Sequence, residues 1–186
     1  MTRNVRFITD TAVMVAVAAI LGFLKFDAPW AYGGSVSIEM LPIVLMAFRY
    51  GLKGGLITGF IYGFVDFLIE PVFAHPIQML LDYPVAFMLV GFAGLVKPKP
   101  DSSKRRIGTT IVIGTLIGTG CRFVSHFVSG IVWWGQYAPE GTPVWIYSLV
   151  YNAGYLIPSF VLTAVVMVLL VADTPRLLKM ESVQKV

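Results

Sequence analysis

The chain has 186 residues, of which 57% are hydrophobic and 13% charged, and its mean hydropathy is +0.80. That composition excludes an ordinary soluble domain. The net charge of +4 invites a nucleic-acid reading that its distribution removes, and the single cysteine, Cys121, excludes an internal disulfide and a cysteine-based zinc site.

About 20 helical residues cross a hydrocarbon core of roughly 30 Å. Apolar stretches of that order recur six times, which predicts an all-α membrane protein with six transmembrane helices in one compact bundle, a single domain over residues 1–186. The first helix is expected at 7–25. It follows the basic start Arg3 to Arg6 with no small-residue cleavage site, and so reads as uncleaved. Within it, Ala12 and Ala16 form a small pair among valines, suited to contact inside the bundle or with another subunit. The loop from Asp27 to Ser35 joins Trp30 and Tyr32 to a glycine pair. Those aromatics fit either a lid or the interfacial belt of membrane proteins.

The second helix, 37–49, is short for a full crossing. The third, 52–69, follows Gly51 and carries Gly55, Gly59 and Gly63 at the same four-residue spacing, a groove for close helix approach. Gly114 and Gly118 form a weaker seam. Asp66 and Glu70 close the third helix at its outer end, where solvation is cheap, and Glu39 is expected to be solvated in the same way.

Asp82 lies in the fourth helix, 76–96, with apolar sequence after it. A charge near the bilayer centre costs about 2.5–3.5 kcal/mol, so Asp82 should face a partner or a cavity. Arg122 and His126 are the available partners, and Pro84 should bend the helix beside it. The linker 97–106, rich in proline and charge, divides the chain into two three-helix halves.

The fifth helix, 107–134, carries Arg122, His126, Gly130 and Trp134 at four-residue spacing, hence on one face, with Trp133 alongside. In the sixth, 144–172, Tyr147, Tyr151 and Tyr155 share a face, with Asn152 beside it. If the amino terminus is inside, twelve of the 14 basic residues fall on inner segments, leaving Lys25 and Arg122. The positive-inside rule then places both termini in the cytoplasm, and the basic residues report orientation, not nucleic-acid binding.

A carboxylate, an imidazole, indoles, tyrosines and an amide suit a flat, cationic heterocycle, since aromatic faces attract cations by roughly 0.5–2 kcal/mol. At this point the chain resembles, over essentially its whole length, the thiamine-specific substrate-binding (S) component of energy-coupling factor (ECF) transporters. The resemblance rests on Asn4 to Thr9, Ile38 to Val44, Arg49 to Gly55, and the run from His126 to Tyr137.

That resemblance implies a bacterial plasma-membrane protein that takes thiamine from the outer face. It implies a pocket of Asp82 and Tyr83 on the fourth helix, Arg122, His126, Gly130 and Trp134 on the fifth, Tyr147 and Asn152 on the sixth, and Trp30 from the loop. It also assigns Ala12 and Ala16 to docking on the transmembrane coupling subunit, with two ATPase subunits using ATP. No metal or cofactor is expected in this chain. Two positions depart from the family: its acid is commonly Glu, longer than Asp82 by roughly 1.5 Å, and its base is commonly Lys where this chain has the planar fork of Arg122.

Two other readings compete. Asp66, Glu70 and Asp82 could serve a self-sufficient proton-coupled carrier of a cationic vitamin. Ser125 or Ser129 with His126 could serve an intramembrane hydrolase, but neither lies in a Gly-x-Ser-x-Gly context. A Gly-x-x-x-x-Gly-Lys-[Ser/Thr] phosphate loop is absent from the sequence, so the chain is not expected to hydrolyse ATP itself.

Overall fold

The structure, a computed structural model, describes residues 2–27 and 34–178. Trp30 and Tyr32 lie outside the described residues. Helix α1 spans Arg3–Gly22, starting earlier than the apolar run suggests because Thr2 accepts from the Val5 N–H and caps it. A two-residue antiparallel pair follows, β1 (Phe26–Asp27) with β2 (Ser35–Val36), in the register Phe26↔Val36 and Asp27↔Ser35. The ribbon ends just before the stretch 37–49 that the sequence suggests for the second helix, and residues 37–39 stay outside the helix. Accordingly α2 begins only at Met40 and ends at Tyr50.

Helix α3 spans Leu52–Ile69. The stretch expected as one fourth helix is broken into α4 (Pro76–Asp82), α5 (Pro84–Val90) and a 3-10 turn, Gly91–Leu95. Pro84 has no N–H for the Leu80 carbonyl, and Tyr83 adopts φ −117°, ψ −89° at the break. Ser103 caps α6 (Lys104–Trp133) by accepting from the Arg106 N–H. The long α7 spans Val144–Asp173 with Pro158 inside it.

Helix α2 is the buried axis: Met40, Ile43, Val44 and Ala47 are all inaccessible, packed against Phe87, Val90, Ile111 and Met167 from the surrounding helices. Outward faces carry Leu68, Val128, Val150, Ile157 and Leu169, all exposed. Apolar side chains on both the inside and the outside are what a lipid solvent permits, and five helical stretches have the length and hydropathy to span.

The glycine face of α3 meets α5 and the 3-10 turn. A Cβ at Gly59 would collide with the Phe87 carbonyl, and one at Gly63 would strike the backbone at Pro84. Close approach of backbones without side chains is the usual way helices bind each other in lipid. Here it clamps the broken fourth span, and with it Asp82, against α3.

Candidate functional site

A cavity of about 150 Å³ lies at the end of the bundle opposite Arg3 and Thr174, where α1 and α3 end, α4 begins, α6 ends and α7 begins. Asp82, Tyr83, Arg122, His126, Gly130, Trp134, Tyr147 and Asn152 all line it. The break at Tyr83 makes Asp82 the last residue of α4, so its carboxylate leaves the helix toward α6.

Asp82 is held by three neighbours. Its Oδ2 accepts from Gln78 Nε2 at 2.7 Å and from the Trp134 indole N–H at 3.3 Å. Its Oδ1 lies 3.5 Å from His126 Nδ1. The other ring nitrogen, Nε2, accepts from Arg122 Nε at 3.2 Å. That assigns the neutral imidazole its proton on Nδ1, facing Asp82.

Arg122 is engaged elsewhere. Both of its terminal nitrogens donate to Glu39 Oε1 at 3.2 Å, and its guanidinium carbon lies 4.0 Å from the centre of the Phe87 ring. Tyr62 donates to Glu39 Oε2 at 2.9 Å and lies 3.4 Å from Asp66 Oδ1. A chain therefore runs carboxylate, imidazole, guanidinium, carboxylate. With the imidazole neutral it carries one net negative charge before Asp66 is counted.

Aromatic side chains form the walls. Tyr155 meets His126 edge-on with ring centres 6.0 Å apart, Tyr151 packs on both Tyr147 and Tyr155, and Trp134 lies against Tyr137 at 6.1 Å. Tyr151 also accepts from the Gly34 N–H at 2.9 Å, which ties the far end of the 28–33 segment to α7. At the near end, Lys25 donates to Glu70 and ties α1 to α3. An anionic cavity with aromatic walls can take a flat cation, and it repels an anion.

The chain matches, over residues 8–179, the family described as thiamine transporter protein (Thia_YuaJ). The chain belongs to this family. A thiamine transporter protein family member is a transport protein, not an enzyme, and this one is a multi-pass protein of the bacterial plasma membrane. The "Thiamine transporter ThiT" of Bacillus subtilis is 45% identical over 177 residues, covering 91% of this chain and 92% of the relative. The protein of the same name from Lacticaseibacillus paracasei is 36% identical over 183 residues, covering 91% and 89%.

Two solved structures share the fold of this thiamine transporter family member. ThiT from Listeria monocytogenes superposes with a TM-score of 0.87 at 23% identity, covering 95% of this chain and 99% of that one. The S component of a bacterial ECF transporter superposes at 0.65 and 18%, covering 96% and 100%.

Several site residues do other work than their sequence context suggests. Glu39, expected to be solvated, is only 9% exposed and is the counterion of Arg122. It immediately precedes the central helix, so the late start of α2 leaves it inside. Gly130 admits a neighbour: a Cβ there would run into Ser148 Oγ, so the glycine seats α7 against α6.

Asn152 donates to the Ser148 carbonyl at 2.8 Å and accepts from Tyr155 at 2.8 Å, so most of its amide is already engaged inside the protein. The Tyr83 hydroxyl donates to the Glu70 carbonyl and accepts from the Val72 N–H, binding the α3–α4 loop. Trp133 stacks on His75 at 5.5 Å and does not line the cavity. Ser125 donates to the Leu81 carbonyl at 2.6 Å, away from His126.

Sequence reasoning misses Glu39 and Gln78 as parts of the site. A mid-helix arginine demanding a counterion was the available signal for Glu39. For Gln78 it was the i, i+4 spacing to Asp82.

Proposed function

We propose that this chain binds thiamine with high affinity and takes it up as the S component of an ATP-driven ECF transporter, the whole chain acting as one six-helix substrate-binding domain. The observation that carries the reading is the Asp82 carboxylate set between the Trp134 indole and the His126 imidazole, while the nearby guanidinium of Arg122 is held by Glu39. The family description and the names of the two relatives support the choice of thiamine among cationic heterocycles.

Thiamine enters from outside, its rings flanked by Trp134 and His126. Asp82 faces its cationic or aminopyrimidine part, Tyr147 and the remaining acceptor capacity of Asn152 meet the pyrimidine edge, and Trp30 of the loop from Asp27 to Ser35 adds an aromatic contact. Arg122 holds His126 and Glu39 in place. Its charge is balanced within the protein, so it does not repel the ligand.

Energy comes from partners. Ala12 and Ala16 are exposed on α1 beside Ile8 and Ile20, a small-residue stripe that fits close docking on the transmembrane coupling subunit of a complex with two ATPase subunits. The basic residues Lys53, Lys97, Lys104, Arg105 and Arg106 gather at the end opposite the cavity, which supports a cytoplasmic placement of that end and of both termini.

Titration of the purified chain with thiamine, riboflavin, biotin and pyridoxine, read by tryptophan fluorescence, tests the site. Quenching specific to thiamine, lost in Asp82→Asn, is expected; quenching by none of them, or binding unchanged in that variant, rejects it. Uptake into liposomes tests the coupling. Accumulation driven by a pH gradient with this chain alone would replace the ATP-driven reading with a proton-coupled one.

A further inference from the structure

Gln78 is 0% exposed, a long polar side chain packed into the cavity wall beside Asp82. Burial of an amide is tolerated only when its hydrogen-bonding groups are satisfied. Its Oε1 accepts from the Ala74 N–H at 2.9 Å and faces the His75 N–H at 3.5 Å. Its Nε2 donates to the Val72 carbonyl at 3.2 Å and to Asp82 Oδ2 at 2.7 Å.

These partners fix which way the amide points. Backbone N–H groups only donate, so the oxygen must face residues 74 and 75, and the nitrogen must face Val72 and Asp82. A flipped amide would put donor against donor on one side and acceptor against acceptor on the other. Asp82 Oδ2 is therefore an obligatory acceptor, and it takes a second bond from the Trp134 indole N–H. Two donors on one oxygen hold the carboxylate in one rotamer with Oδ1 turned to His126.

The same amide fastens the loop between α3 and α4. Val72, Ala74 and His75 are joined through it to Asp82, and Val72 is joined through the Tyr83 hydroxyl to Glu70.

We propose that Gln78 is a positioning residue for ligand capture: it holds the Asp82 carboxylate as an aimed acceptor and locks the 72–75 loop to it. The inference rests on the reading of Asp82 as the acid that meets the cation.

Two variants and one signal test it. Gln78→Glu keeps the shape and the acceptor side but turns a carboxylate oxygen toward Asp82; thiamine affinity should fall by about 100-fold. Gln78→Met removes the bond without repulsion and should weaken binding about tenfold, the range for a hydrogen bond to a charged group. In an Asp82→Asn background Gln78→Met should change affinity less than about threefold, because a residue acting through Asp82 has nothing left to act on.

In the ligand-free protein the Trp134 indole N–H resonance, assigned by its loss in Trp134→Phe, should shift in Gln78→Met, since the two donors share one oxygen. Wild-type affinity in both Gln78 variants, additive effects with Asp82→Asn, or an unmoved indole resonance would overturn the proposal. If the wild-type chain does not bind thiamine, the transport reading fails. The indole shift then decides the positioning role by itself.

Discussion

At one end of the bundle Arg3, Arg6, Arg49, Lys53, Lys97, Lys99, Lys104, Arg105, Arg106 and Arg176 outnumber the acids Asp10, Asp101 and Asp173. At the other, Asp27, Glu39, Asp66, Glu70, Asp82 and Glu140 outnumber Lys25 and Arg122. Most charges of the basic end, Lys104, Arg105 and Arg106 among them, face out and keep their hydration, while Arg49 is half-buried and paired with Asp10 at 3.2 Å. The acidic end draws Glu39, Asp82 and Arg122 into the protein, where each must be matched by a partner. Exposed charges are expected to tolerate exchange, and buried, partnered charges are not.

The contrast can be broken by substitution at either end. The largest loss is expected from Glu39→Ala, which strands Arg122 beneath the cavity. Removing one partner of a buried pair costs about 3–5 kcal/mol, and thermal unfolding in detergent should show it; a fall no larger than that of Lys53→Ala would erase the distinction between the ends. Asp82→Asn should weaken thiamine binding by roughly 100-fold with a much smaller change in unfolding temperature, since one neutral polar group replaces a charged one.

Next in size is Gly59→Ala, whose added carbon meets the Phe87 carbonyl. Overpacking of about 1–3 kcal/mol is expected, and an unchanged melting temperature would show that the clamp between α3 and α5 is loose. Trp134→Ala should reduce affinity about tenfold through lost ring contact, read by calorimetric titration. Smallest of all, Arg105→Gln with Arg106→Gln should leave stability within about 0.5 kcal/mol and binding unchanged. A binding defect there would mean that the basic end senses the ligand.

The lipid-spanning stretches are legible in the sequence because solvent composition dictates them: a segment in hydrocarbon must be apolar and helical. The face shared by Arg122, His126, Gly130 and Trp134 is legible because helical period alone puts these residues together, and all four line the cavity. Pro84 announces the break that delivers Asp82. The partnership of Glu39 with Arg122 is not legible, because the two lie 83 positions apart and meet only through helix packing.

Gly130 lines the cavity, as the helical period places it, but its neighbour is not legible. A missing side chain leaves a gap in the sequence, and only the approach of Ser148 shows what fills it.

Helix α2 has 11 residues. At 1.5 Å per residue it covers only about half of a 30 Å hydrocarbon layer. The missing turns, roughly nine residues' worth, are those that would have continued toward the end where the cavity lies. The cavity is lined by the other five spans and by Glu39, the residue just before α2. A shortened helix at the centre thus leaves open space at one end of the bundle, where the cavity lies.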